Sequence, residues 1–175
     1  VYVSLIGDVK KVLISLNNAL QKKERPDWRG EVESIKNSPE NNYKIFNGGL
    51  TPQGVIETVR NFASDDDVVA TDVGQHQMWV SQFYKFSRPK TFITSGGLGA
   101  MGFGMGAAIG ACLARGVKRT ILFTSDGSFH MNLNELATAA MYNLPIIIIV
   151  LNNKVLGMVR QWQTLFFGKR YSQTT

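Results

Sequence analysis

The sequence has one cysteine and no long run of apolar residues, and both facts limit what the protein can be. Cys112 has no partner for an internal disulfide, and its small apolar neighbours predict a buried, inert thiol. The longest apolar run, residues 145–151, is far too short to cross a bilayer. The first residues lack the charged segment, apolar core and cleavage site of a signal peptide. We therefore expect a cytoplasmic protein, or an organellar one in a eukaryote, with no membrane partner.

Positive charge is in excess but is not gathered on one segment. The net charge is +6, yet the basic residues stand in small separate groups such as those beginning at Lys22 and Lys169. No run of aromatics interleaves with them, so we expect no nucleic-acid partner. A length of 175 residues with 44% hydrophobic and 18% charged residues is typical of a globular protein. One domain with part of another is the expectation.

The chain divides into three segments of unequal length. Residues 1–24 combine an apolar start, predicted as a strand over residues 1–6, with a helical pattern from Val9 to Leu20. They are expected to be the tail of a preceding central domain. Residues 25–46 are polar, contain two prolines and predict an extended linker. Residues 47–175 form the third segment and the main domain.

Helices and strands alternate throughout the third segment. Thr51 and Pro52 begin a helix as its cap and its first residue. Buried strands are predicted over residues 67–71, 91–94, 119–124 and 146–151, and helices are expected between them, including residues 132–142 and a small-residue helix ending near 114. This alternation predicts an α/β fold with a doubly wound parallel sheet that is covered by helices on both faces.

Polar residues follow two successive strands of the predicted sheet. Asp126-Gly127-Ser128 comes after one strand, and Asn152-Asn153 comes after the next, with Asn153 27 positions after Asp126. Either motif alone is typical of an ordinary turn. If the two strands are parallel neighbours, their carboxyl ends lie about 5 Å apart, and a carboxylate and an amide converge there. Such oxygen ligands suit Mg²⁺, and the N-termini of the following helices suit a diphosphate.

These motifs resemble the diphosphate-binding motif of thiamine-diphosphate enzymes. Further stretches resemble the catalytic subunit of the acetolactate (acetohydroxyacid) synthase family. They are Thr71-Asp-Val-Gly-Gln-His-Gln-Met-Trp79, Ser95-Gly-Gly-Leu-Gly-Ala-Met-Gly102, Asn134-Glu-Leu-Ala-Thr138, Leu156-Gly-Met-Val-Arg-Gln-Trp-Gln163 and Arg170-Tyr-Ser172. The resemblance covers residues 47–175, and residues 1–20 also resemble the end of that family's central domain.

The resemblance implies a role for each matching residue. Mg²⁺ would be held by the side chains of Asp126 and Asn153 and by the Val155 carbonyl. The cofactor-binding residues would be Gln75, His76, Gly99, Met101, Gly127, Ser128, Met131, Asn153 and Gly157, with Met101 bending the cofactor and Met131 near its thiazolium ring. Met158, Val159 and Trp162 would line a substrate channel, although their helical spacing is equally typical of a core stripe.

The resemblance also implies a reaction and partners. The reaction is decarboxylation of pyruvate on thiamine diphosphate and transfer of the two-carbon unit to a second 2-ketoacid, in branched-chain amino acid biosynthesis. The implied partners are the rest of the catalytic chain in a homodimer or tetramer, with a regulatory subunit as an option; FAD is an option for the longer enzyme but not for this segment. No residue here matches the family's catalytic glutamate, and the final helix and strand are absent, so we expect this polypeptide alone to be inactive.

The sequence departs from the family pattern at a few positions, and, separately, two alternative interpretations stay open. Ser125, His130 and Met105-Gly106 replace a usual glycine, a common glutamine and a usual Leu-Pro. Gly97 to Gly102 also fits the glycine pattern of a Rossmann-type dinucleotide-binding domain, with Asp126 at the end of the next strand as the ribose acid. That alternative leaves Asn152-Asn153 unexplained. The other alternative is a non-catalytic binding or assembly module.

Overall fold

A computed structural model describes residues 2–39 and 49–174. The chain forms two compact units, residues 1–44 and residues 45–175. No helix in the described part of the chain is long and apolar enough to span a membrane.

The described part of the first unit contains two α-helices. Helix α1 (Val9–Ala19) begins after Asp8, whose carboxylate accepts a hydrogen bond from the Lys11 N–H at 3.0 Å. Residues 2–6 form no strand, contrary to the prediction, because a strand needs a neighbour to pair its backbone groups. Helix α2 (Pro26–Lys36) occupies the segment that was predicted to be an extended linker. Proline at its first position favours that helix, and the linker role of residues 25–46 stays a prediction.

The second unit alternates helices and strands as predicted, with small shifts at the boundaries. Its elements are α3 (Pro52–Phe62), β1 (Val68–Thr71), α4 (Gln75–Phe83), β2 (Phe92–Ile93), α5 (Phe103–Ala114), β3 (Thr120–Ser125), α6 (Asp126–Asn132), a 3-10 turn (Leu133–Glu135), α7 (Leu136–Met141), β4 (Ile146–Leu151) and α8 (Gly157–Phe166). The continuous helix predicted over residues 132–142 is wrong. In its place, α6 begins directly after β3, and the 3-10 turn separates α6 from α7.

All four strands are parallel and lie in the order β2-β1-β3-β4. The strands β3 and β4 pair in register from Thr120 opposite Ile146 to Ser125 opposite Leu151. Their carboxyl ends are therefore adjacent, as the sequence predicts. Along the chain, the first connection passes from β1 to one side and the next passes to the other side, so the sheet has a topological switch point between β1 and β3.

Helices cover both faces of the sheet, which confirms the doubly wound architecture. On one face, Val69, Ile121 and Phe123 pack with Ile56 of α3 and Val80 of α4. On the other face, two sheet residues pack with α5 and α7; this cluster is formed by Ala70, Leu122, Met105, Ala108 and Ala139. Because successive side chains of a strand point to opposite faces, the central strands β1 and β3 are buried on both sides.

The strand order does not fit the dinucleotide-binding alternative. In that fold, the strand before the glycine-rich segment pairs directly with the strand that follows the next helix. Here β2 precedes the glycines and β3 follows α5, but β1 lies between β2 and β3. The glycine-rich segment therefore lies in a connection that joins two strands, β2 and β3, that are not neighbours in the sheet, unlike the glycine-rich turn of a dinucleotide-binding fold.

Candidate functional site

A cavity of about 340 Å³ lies at the carboxyl ends of the strands, at the switch point. It is lined by residues after β1, by the glycine-rich segment, by the ends of β3 and β4, and by α8: Val73, Gly74, Gln75, His76, Trp79, Gly99, Met101, Ser125, Leu151, Asn153, Val155, Leu156, Gly157, Met158, Val159 and Trp162. Ligands of open α/β sheets bind at this position, because loops and helix N-termini point the same way there.

The predicted metal ligands follow adjacent strand ends. Asp126 comes directly after β3, and Asn153 comes two residues after β4. The Oδ1 atom of Asp126 is buried and has no hydrogen-bond partner among the described residues. The Oδ1 atom of Asn153 accepts a hydrogen bond from the Val155 N–H at 3.1 Å, which folds this short loop back on itself. The structure therefore brings a carboxylate with an unsatisfied oxygen to the same sheet edge as the amide.

His76 is a buried residue at the start of α4. Its side chain is 2% exposed, and its Nε2 has no hydrogen-bond partner within the described ranges. Burial lowers its pKa from 6.5 to about 4, against the opposing effects of the Asp72 charge, a hydrogen bond to the Asp72 backbone and the Asp126 charge. The imidazole is therefore neutral at pH 7 and presents one polar nitrogen to a ligand.

Gln75 meets the start of α8 across the cavity. Its Nε2 donates to Gln161 Oε1 at 2.9 Å. A Cβ atom at Gly157 would lie 2.2 Å from Gln75 Oε1 and 2.9 Å from Asn153 Nδ2. A side chain at position 157 would displace the ends of these two side chains, so glycine there leaves room for Gln75 and Asn153 to line the same cavity.

Residues 99–102, which we call the methionine turn, bring Met101 to the cavity wall. Gly99 and Met101 both line the cavity. The Met101 Cε lies 3.9 Å from the position of a Cβ atom at Gly127, in the first turn of α6. Met101 therefore lies close to the segment that carries Asp126.

Side chains of α8 form the apolar wall of the cavity. Met158, Val159 and Trp162 line it, and Val159 and Trp162 remain 47% and 57% exposed. The Trp162 and Phe166 rings pack with their centroids 4.9 Å apart. The described residues do not bury this helical stripe in a core, and the channel role of Met158, Val159 and Trp162 stays a prediction.

Most of the predicted site residues line the cavity, but four do not: Asp126, Gly127, Ser128 and Met131. Asp126 and Gly127 lie beside the lining residues, as described above. The Ser128 hydroxyl donates to the Val73 carbonyl at 2.7 Å, so it ties α6 to the loop after β1. Met131 is 54% exposed and lies near Gly102, where a Cβ atom would be 3.1 Å from its own Cβ.

Sequence reasoning missed several residues of the site. Trp79 and Leu156 line the cavity, but they were assigned no role. Asp72 was also missed, although its carboxylate accepts hydrogen bonds at the methionine turn. The predicted buried strand ending at Thr71 could have indicated Asp72, because residues that directly follow a buried parallel strand lie at the end of the sheet where ligands bind.

The cavity has no positive charge of its own. None of the described residues that line it is a lysine or an arginine. An anionic ligand bound there would therefore need a counterion, since a charge removed from water must be paired.

Comparison with known proteins identifies the family. Residues 72–175 match the model of the thiamine pyrophosphate enzyme, C-terminal TPP binding domain. Acetolactate synthase 1, chloroplastic, from Nicotiana tabacum is 41% identical over 99% of this chain and 27% of its own length. Acetolactate synthase isozyme 3 large subunit from Escherichia coli (strain K12) is 38% identical over 98% of this chain and 31% of its own length.

Acetolactate synthase from Mycobacterium leprae (strain TN) is 41% identical over 98% of this chain and 29% of its own length. The chain therefore spans about three-tenths of the length of these relatives. The matched residues include β1's carboxyl-terminal loop and every later element of the sheet. The chain belongs to the thiamine pyrophosphate enzymes, and its second unit carries their C-terminal cofactor-binding domain.

Proposed function

We propose that the cavity binds thiamine diphosphate with Mg²⁺, and that the chain contributes this site to an acetolactate synthase. Family membership supports the cofactor, and the names of the relatives support the reaction. The observation that carries the proposal is the buried Oδ1 atom of Asp126, which has no partner in the described part of the chain. Such an oxygen costs about 1–3 kcal/mol or more when left unsatisfied, and a bound cation removes that cost.

The residues present fit a magnesium ion. Asp126 and Asn153 would supply side-chain oxygens, and Val155 would supply its carbonyl. The Asn153 oxygen already accepts one hydrogen bond, from Val155, and an amide oxygen has a second lone pair for a cation. Mg²⁺ binds oxygen ligands and needs only one or two protein carboxylates when a phosphate completes its coordination.

The same region fits the diphosphate. Gln75 and His76 would contact it, together with the backbone at Gly127 and Ser128. The neutral His76 adds no charge to the site, and none of the described residues that line the cavity has a cationic side chain. The metal therefore has to neutralise the diphosphate, and binding of the cofactor is expected to depend on Mg²⁺.

The remaining residues would orient the cofactor and exclude water. When bound, thiamine diphosphate supplies the carbon nucleophile for cleaving pyruvate and passing a two-carbon unit to a second 2-ketoacid. Gly99 and Met101 would hold its ring portion, and Met131 is proposed near the thiazolium ring only from the resemblance. Met158, Val159 and Trp162 would form an apolar channel that keeps water from the reacting atoms.

Calorimetric titration of the chain with thiamine diphosphate, with and without Mg²⁺, tests the binding proposal. We expect saturable binding with Mg²⁺ and at least tenfold weaker binding without it. Quenching of the fluorescence of Trp79 and Trp162, which both line the cavity, gives an independent measure of binding. The Trp28→Phe substitution removes the fluorescence of the first unit from this signal. NAD serves as the competing ligand, and tighter binding of NAD would overturn the proposal.

A matched pair of substitutions locates the metal. Asp126→Asn should abolish the Mg²⁺ dependence, because the amide lacks the negative charge. Asp66→Asn is the control, since Asp66 lies on the surface in an ion pair with Arg88 at 2.9 Å. Equal loss in both variants would show that Asp126 has no special role.

The reaction needs a separate test. Residues 1–175 would replace the matching segment of the Escherichia coli relative, which is 38% identical over 98% of this chain. We expect the hybrid to form acetolactate from pyruvate and Asp126→Asn to remove that activity. A folded hybrid that binds cofactor but forms no acetolactate would contradict the proposed reaction.

The remainder of the catalytic chain, a dimer or tetramer and a regulatory subunit are the proposed partners, in line with the words "large subunit" in that relative's name.

A further inference from the structure

The carboxylate of Asp72 is buried directly after β1 and binds the start of α5. It is 2% exposed. Its Oδ1 accepts hydrogen bonds from the Val73 N–H at 2.7 Å and the Gly102 N–H at 2.9 Å, and its Oδ2 accepts from the Gly104 N–H at 3.0 Å. The positive end of the α5 dipole further stabilises this negative charge. The helix N-terminus is thus already occupied by a protein carboxylate.

The approach of Asp72 to α5 requires glycine at position 104. A Cβ atom there would lie 2.9 Å from the Asp72 backbone nitrogen, from its Cβ and from its Oδ2. Glycine at position 104 therefore allows both carboxylate oxygens of Asp72 to accept hydrogen bonds from the backbone at the start of α5.

Asn132 holds the same turn from the opposite side. Its Nδ2 donates to the Gly102 carbonyl at 2.6 Å. Gly102 has a φ of +88°, and a Cβ atom there would lie 3.1 Å from the Met131 Cβ and 3.2 Å from Asn132 Nδ2. The peptide groups on both sides of Gly102 are therefore held, one by Asp72 and the other by Asn132.

Met101 immediately precedes this clamped residue and lines the cavity. At the other end of the methionine turn, the Ser95 hydroxyl oxygen accepts from the Gly99 and Ala100 N–H groups at 3.2 Å. We propose that Asp72 and Asn132 are positioning residues that hold Met101 against the ring portion of bound thiamine diphosphate. This inference rests on the proposed function and adds two residues to which that function assigns no contact with the metal or the diphosphate.

The test uses two probes that differ by the ring portion. Thiamine diphosphate and inorganic diphosphate are each titrated with Mg²⁺ into the chain. Asn132→Ala should lower the affinity for thiamine diphosphate about tenfold. It should change the affinity for inorganic diphosphate by less than about twofold, because Met101 is proposed to contact only the ring portion. Asn134→Ala is the control, since that exposed side chain donates only to its neighbour Glu135 in the described structure. Asp72→Asn should act like Asn132→Ala, and circular dichroism reports whether it folds.

A double-mutant cycle separates positioning from general damage. In a Met101→Ala background, Asn132→Ala should change thiamine diphosphate affinity by less than about twofold, because the side chain that it positions is gone. An undiminished tenfold loss in that background, or an equal loss for both probes, would overturn the proposal. Failure of the unmodified chain to bind either probe would overturn the proposed function itself, which is a different result.

Discussion

At the scale of single residues, Gly157 lies against two side chains of the site, Gln75 and Asn153. Alanine there would place a Cβ atom 2.2 Å from Gln75 Oε1 and 2.9 Å from Asn153 Nδ2. The ends of both side chains would have to shift, and Gln75, the closer one, would shift most. We expect Gly157→Ala to weaken Mg²⁺-dependent thiamine diphosphate binding by more than tenfold, as measured by calorimetry.

Gly110→Ala is the matched control for that substitution. Gly110 lies within α5 and a Cβ atom there would meet nothing within 4 Å. Alanine should therefore leave cofactor binding unchanged and stabilise the helix by roughly 0.5–1 kcal/mol. Equal effects of the two substitutions on binding would contradict the role of Gly157.

Residue types that bind ligands are visible in a sequence, whereas residues that support them are not. The motifs predict Gln75, His76 and Asn153, and the structure places all three on the cavity wall. Asp72 and Asn132 act through backbone groups of Gly102, a contact between positions 30 residues apart. Such contacts depend on how the end of β1 and helix α6 each approach the start of α5, and no local pattern encodes those approaches.

At the scale of single elements, helix α3 shows how a local signal fixes a boundary. The Thr51 hydroxyl accepts a hydrogen bond from the Gly54 N–H at 3.1 Å, and Pro52 occupies the first helical position. Thr51→Ala should lower the free energy of unfolding of the second unit by about 1 kcal/mol, because an N-terminal N–H loses its acceptor. Urea unfolding followed by Trp79 and Trp162 fluorescence, in a Trp28→Phe background, measures this change.

The substitution Thr51→Ser tests whether the hydroxyl group of Thr51 accounts for this stability. Serine keeps the hydroxyl that caps the helix, so most of the stability should return. If serine were as destabilising as alanine, packing of the threonine methyl group would be the cause, and the capping explanation would be wrong.

Elements with strong local signals are predicted well, and elements that depend on neighbours are not. Strand β4 (Ile146–Leu151) has the predicted bounds, because it is an unbroken apolar run after Pro145. Helix α2 (Pro26–Lys36) was predicted as a linker, since its polar composition hid a helix that has no buried residue. The predicted strand over residues 1–6 was wrong, because an apolar run alone supplies no pairing partner.

At the scale of the whole molecule, the sheet order distinguishes between two interpretations that the motifs leave open. Both the thiamine diphosphate interpretation and the dinucleotide interpretation use the same glycines and the same Asp126. Placing β1 between β2 and β3 removes the second interpretation and puts the residues after β1 at the switch point. The sequence predicts strands and their parallel pairing, but long-range order depends on which strand edges meet, and that is settled only in the folded chain.

Folding lowers the pKa of His76, and the stability of the second unit therefore depends on pH. The pKa of His76 is about 4 in the folded chain, mainly because of burial, against an ordinary value of 6.5. Between these two values the unfolded chain binds a proton that the folded chain does not. Stability is therefore lost as the pH falls through this interval, by about 3 kcal/mol in all.

Urea unfolding without metal, at pH values from 6.5 to 4, measures this loss through Trp79 and Trp162. Carboxylates also titrate in this range, so the comparison is between variants. The chain has two histidines, and His76→Gln should flatten the pH dependence relative to His130→Gln, whose side chain is exposed. In NMR spectra, the His76 ring should remain neutral at pH 5, because burial disfavours the charged form. A ring that is protonated at that pH, or an equal pH slope in both variants, would show that His76 is not desolvated as the structure describes.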